Sequence, residues 1–193
     1  MRSDATVRVV LVWLGVLVSG CANRPSQNVV QIEGPNGRIS APSVPPGLRV
    51  NGSPTLQVHA SGVQIYTLTS GPGGTASWKL KAPDATFSGP GVQGRHYAGP
   101  TWESMTDGSK VVGRKLAEVA SPDPNAVGWL LLEAKSHEGN GVLSNVTFIQ
   151  RINTVGGMAP TTAGATPGDE VKVPYQAIYV FYGAGATTRP TPN

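Results

Sequence analysis

The chain has 193 residues, a formal net charge of +4, 13% charged residues and a hydrophobic fraction of 39%. That length suits one domain with a sizeable core. Lys and Arg are scattered singly, which excludes the dense basic face that a nucleic-acid partner requires. Gly (25) and Pro (17) exceed average usage and point to many turns between short elements rather than to long amphipathic helices. The single cysteine excludes an internal disulfide, so the fold must rest on its core and its backbone ladders.

In chain order the first element is an export signal. Arg2 and Arg8, partly offset by Asp4, precede the apolar run Val9–Val18. A spanning helix needs roughly 20 apolar residues, so this run has the length of a signal-peptide core instead. It ends in Val18-Ser19-Gly20-Cys21. Small residues leading into a cysteine resemble the bacterial lipobox, which implies cleavage after residue 20 and a diacylglycerol on Cys21. Two or three acyl chains, at about 0.8 kcal/mol per buried CH₂, hold a protein on a bilayer where one does not. Ala22 follows in place of Asp, and in diderm bacteria that resemblance implies sorting to the outer membrane. The expected partner is thus a membrane, reached through lipid on Cys21, and the expected location is the cell envelope.

Residues 21–47 read as the lipidated cysteine and a flexible, Pro-rich tether, with Val29–Ile32 its one apolar patch. Strand signals then recur from 48 to 182. Thr55–Ala60 alternates apolar with polar and breaks at Ser61-Gly62; a second strand runs over 62–69 and a third over Ala76–Lys81, stopping before Pro83. Asp107-Gly108-Ser109 is hairpin chemistry between Thr101–Met105 and Lys110–Val112. Gly128–Ala134 is too continuously apolar for a half-exposed strand and reads as central. Val142–Ile152 and Val171–Tyr182 are long strands, joined by a Gly/Thr/Pro loop. Helix is nearly absent, with a turn expected at Pro122–Asn125. Residues 183–193 read as a disordered tail. The predicted fold class is all-β, a single sandwich or barrel-like domain of short antiparallel strands.

Several ordered segments carry a family likeness: Gly62–Tyr66, Trp78 with Lys81–Ala85, HYAGPTWE from His96 to Glu103, DGSKVVG from Asp107 to Gly113, Trp129–Leu132, IQRINTVGG from Ile149 to Gly157, and VPYQAIYVFY from Val173 to Tyr182. Together they resemble the DUF3455 family, extracytoplasmic proteins with no established function, over about residues 60–182. Some fungal relatives carry a malate dehydrogenase label, but no strand–GxGxxG–helix unit for a dinucleotide is present. The resemblance also implies two cysteines that this chain lacks. One falls where Leu68 stands and the other near Ala163–Ala165, so a bridge of the relatives is missing at both ends.

His96, Tyr97, Trp102 and Glu103 are the densest cluster of functional side chains. They suit a glycan or small polar ligand, with Trp102 as a platform and His96 and Glu103 as hydrogen-bonding groups. Equally, Trp102 can anchor core packing and His96 can bond to backbone. Arg151 can clamp a carboxylate with its planar fork or tie its loop to a neighbouring strand. His59, His96 and His137 are widely spaced, and no metal or cofactor is expected. No GxSxG elbow occurs. The favoured function is a non-catalytic binding or envelope-structural module, and its rival is an envelope hydrolase using Glu103 and His96.

Overall fold

Apolar residues on even positions of the first long segment, Leu56, Val58 and Ala60, dictate a strand with one buried face. In the computed structural model, which describes residues 39–161 and 165–188, that face lines the inside of a barrel. The export signal, Cys21, the tether before residue 39 and residues 189–193 lie outside the described residues.

The strands are β1 (Val50–Asn51), β2 (Pro54–Ser70), β3 (Ala76–Gly89), β4 (Val92–Tyr97), β5 (Thr101–Ser104), β6 (Lys110–Val119), β7 (Trp129–Glu138), β8 (Phe148–Gly156), β9 (Glu170–Tyr182) and β10 (Thr187–Thr188). Strands β2 to β9 form a closed antiparallel barrel in sequence order, and β1 pairs with β10 in a separate two-stranded ribbon. The ring closes where β2 meets β9, from Pro54 opposite Tyr182 to Thr67 opposite Glu170. Closure pairs every strand of the ring on both sides over part of its length, so none is left as a bare edge strand.

The all-β expectation resolves to a barrel, and four details differ from the sequence reading. Ser61-Gly62 does not break β2. Gly62 is instead where the chain passes so close to β3 that a Cβ would run into Asp84 and Ala85. Pro83 does not end β3, because the ladder to β4 covers only Ala85–Gly89 and leaves Pro83 on a free edge, where a missing N–H costs nothing. β4 is an additional strand. Val142–Val146 is loop, shaped by Gly139 and Gly141 at positive φ.

Two apolar clusters flank the barrel wall. The inner one includes Leu56, Val58, Phe87, Trp102, Val111, Leu132, Ile149, Tyr179 and Phe181. The outer one joins Leu131, Ile152, Ile178, Val180 and Tyr182 to Leu48 and Val50, with Val44 and Ala186 packed against it. Strands β7 to β9 are therefore covered on both faces, which is why their sequences read as continuous apolar runs. Leu48 is fully buried and its carbonyl accepts a 2.5 Å hydrogen bond from Gln150 Nε2. The stretch around Val44–Val50, between tether and domain in sequence, thus lies against the barrel, as does the start of the tail through β10.

Candidate functional site

Polar side chains enter the barrel at the end that carries the β4–β5 turn, Ala98–Pro100. There β4 and β5 place His96 opposite Trp102 and Arg95 opposite Glu103. Alternation sends His96 and Trp102 inward and Tyr97 and Glu103 outward. Of the five candidate ligand residues, three therefore share the interior: His96, Trp102 and Arg151. Tyr97 and Glu103 lie on the outer face. The Tyr97 hydroxyl donates to Glu103 at 3.0 Å, Glu103 faces Lys110 at 3.7 Å, and Lys110 reaches Glu138 at 3.3 Å. This is a cross-strand polar ladder of modest energy, at most about 1 kcal/mol per exposed pair. Glu103 and His96 lie on opposite faces of the sheet and do not share one site.

His96 stacks on Trp102 with ring centroids 4.4 Å apart and meets Tyr179 edge-on at 5.0 Å. Its Nδ1 lies 2.9 Å from the Thr101 carbonyl. A carbonyl only accepts, so Nδ1 carries the proton and Nε2 keeps a lone pair. Burial pushes the imidazole down to about 3, against the Thr101 hydrogen bond and with help from the Arg151 charge. His96 is therefore a neutral acceptor. Trp102 is 1% exposed and its Nε1 has no partner. The indole fits because Gly113 faces it; a Cβ there would sit 3.0 Å from the ring.

Arg151 follows Ile149 by two positions on β8 and enters the same interior. Its Nε and Nη2 both donate to the Gly128 carbonyl, at 3.2 and 2.8 Å. This clasp depends on the segment just beyond it. Asn153 adopts φ 48° at a register shift of β8, a left-handed conformation that Asn tolerates. Thr154 then donates to Val127 at 2.5 Å and holds the β6–β7 loop against β8. Among the described residues, no carboxylate lies within ion-pair distance of Arg151.

Two further residues complete the site. Gln64 on β2 is 1% exposed, and neither atom of its amide has a partner. Tyr179 places its hydroxyl 3.3 Å from that of Tyr175. Burial raises the Tyr179 phenol above its ordinary value while the nearby Arg151 opposes the rise. Gln64, His96, Trp102, Arg151 and Tyr179, with Leu130 and Leu132, line a cavity of about 270 Å³ that runs to a slot between Lys81–Pro83 and Ala98–Pro100. The slot exists because β3 above Ala85 pairs only with β2. Gln64 carried a legible signal: it is a polar residue in the register of Leu56, Val58, Ala60 and Leu68. Tyr179 carried none that separates it from ordinary core. Among the described residues, no three His, Cys, Asp or Glu side chains are grouped to hold a metal.

Residues 87–183, from the end of β3 through β9, match the family described as "Protein of unknown function (DUF3455)". The chain belongs to the DUF3455 family. The matched segment contains His96, Trp102, Arg151 and Tyr179, whereas Gln64 and the closing strand β2 precede it. No curated protein and no solved structure matches the chain. The position at which the resemblance implies a cysteine, Leu68, is 1% exposed, and its backbone bonds to Gly168 and Asp169. Of the second position, Ala163 lies outside the described residues.

Proposed function

We propose that this DUF3455 protein is a lipid-anchored, extracytoplasmic binding module that takes a small polar ligand into the upper end of its barrel. The observation that carries the reading is Gln64. Gln64 lines the cavity, but its amide atoms are enclosed with no partner; left so, the amide costs about 1–3 kcal/mol, which a ligand regains by drawing the side chain toward the cavity. The volume, about 270 Å³, is near the lower end for small-molecule pockets, roughly 300–1,000 Å³. It suits a metabolite-sized molecule or the end of a chain rather than a length of polymer. The aromatic faces of Trp102 and Tyr179 and the leucines below them supply apolar walls, and a few polar groups give direction, as small-molecule sites do.

Intrinsic Trp fluorescence of the full-length protein in detergent, titrated with small polar metabolites and cell-wall fragments, tests the binding. A saturable change that Gln64→Leu abolishes supports it. A flat response across the panel overturns it. The anchor rests on Val18–Cys21 and is tested by metabolic labelling with palmitate. Cys21→Ala should lose the label and leave the membrane fraction, and unchanged retention of the variant would count against lipidation.

A further inference from the structure

Arg151 is 8% exposed; it donates twice to one backbone carbonyl and also lies within hydrogen-bonding reach of the Tyr179 hydroxyl. A buried cation without a counter-ion carries a penalty of several kcal/mol. Arg does not escape that penalty by losing its proton, because it stays charged in proteins. Two of its five N–H groups meet Gly128, and the rest of the fork borders the cavity. The other polar atoms there complete a pattern. Trp102 Nε1 is a donor with no partner, Gln64 offers one donor and one acceptor group, both unpartnered, and His96 Nε2 is an acceptor. Lys81 stands at the mouth but is already paired with Glu170. The interior thus holds one uncompensated positive charge, an excess of donors, and two acceptors.

We infer that the ligand is a small monocarboxylate carrying hydroxyl groups, its carboxylate held by the Arg151 fork and its hydroxyls by Gln64 and His96. The inference rests on the binding reading above and deepens it. A single buried guanidinium balances one carboxylate, and its planar geometry favours two parallel hydrogen bonds to such a group. A phosphate dianion would leave a negative charge unmatched. Hydroxyls are needed because a carboxylate cannot donate to Gln64 Oε1 or His96 Nε2, whereas a hydroxyl can do both. The chemistry is that of a sugar acid or a short hydroxy acid.

The test compares acids with their own neutral amides. Full-length protein in detergent is titrated calorimetrically with glycolate, gluconate and glucuronate, and in parallel with glycolamide, gluconamide and glucuronamide. At least one acid should bind at least tenfold more tightly than its amide. Arg151→Gln should erase that difference. Should the Gln variant fail to fold, Arg151→Lys keeps the charge without the fork and should weaken the acid at least tenfold. Amides that bind as well as acids overturn the charge assignment and leave the cavity as a binding site. If neither series binds, both the inference and the binding reading fall. Wild-type affinity in Arg151→Lys overturns the role of the fork.

Discussion

The two ends of the barrel share one wall and are filled in opposite ways. At the lower end the 139–147 loop turns inward and plugs the interior with Leu143 and Val146, 0% and 2% exposed. They join the cluster of Leu56, Phe87, Ile149 and Phe181. The loop is latched by Asp107, whose carboxylate accepts from the Val142 amide at 2.9 Å, the Ser109 amide at 3.0 Å and the Ser109 hydroxyl at 2.6 Å. At the upper end, the described residues of the 120–128 and 157–169 loops add nothing to the inner cluster. The interior is left to Gln64, His96 and Arg151. Close-packed hydrocarbon at one end stabilises the ring, so the other end can hold polar groups that contribute little to stability.

Substitutions at each end should break or sharpen that contrast. The largest effect belongs to the plug. Leu143→Ala should cost about 2–5 kcal/mol in urea unfolding, with ligand affinity unchanged; a loss under about 1 kcal/mol would mean the lower end is not the stabilising one. Next is His96, which the folded state keeps neutral. Unfolded histidine titrates near 6.5 and the folded group at about 3. Between those values only the unfolded chain takes up the proton, so this share of stability is complete above pH 6.5 and is lost as pH falls toward 3. The slope is about 1.4 kcal/mol per pH unit. His96→Asn, which keeps a donor near Thr101, should flatten the wild-type pH–stability curve by that amount, and parallel curves would refute the assignment. Asp107→Ala should cost about 1–2 kcal/mol, moderated by solvent at this exposed carboxylate. Its hydrogen bonds hold Asp107 well below the ordinary carboxylate range. That stability is present above the ordinary carboxylate pKa and fades as pH falls, so the variant should also be less acid-sensitive. Opposite in sign is Gln64→Leu, which removes an orphaned amide and should stabilise the fold by up to about 1–3 kcal/mol while abolishing binding. A large destabilisation would place Gln64 among the scaffold.

Legibility in the sequence followed the same division. The apolar runs Trp129–Leu132 and Ala177–Tyr182 announced strands, the first as central, because both of their faces are covered. β4 was silent, since its inward positions are Val92, Gly94 and His96, and Gly94 is small so that the Phe87 ring can lie against it. The plug was hidden because Leu143 and Val146 are three apart and follow no strand period. The site was half legible. His96 to Glu103 drew notice as a dense cluster, yet neighbours along a strand point to opposite faces, so crowding in sequence split into an interior pair and a surface pair. Gln64 and Arg151 lie far apart in the chain, and only closure of the ring brings them to one cavity.

That closure also sets a kinetic demand. The β2–β9 seam joins residues 103 to 128 positions apart, from Thr67 with Glu170 to Pro54 with Tyr182. All other neighbours in the ring are consecutive in sequence and can zip locally, but the seam must wait for nearly the whole chain. Topologies dominated by such distant pairing fold in roughly milliseconds to seconds rather than microseconds. Until the seam forms, β2 and β9 are open edges, and the cavity they help to wall does not exist. The cavity therefore comes into being only as the seam closes.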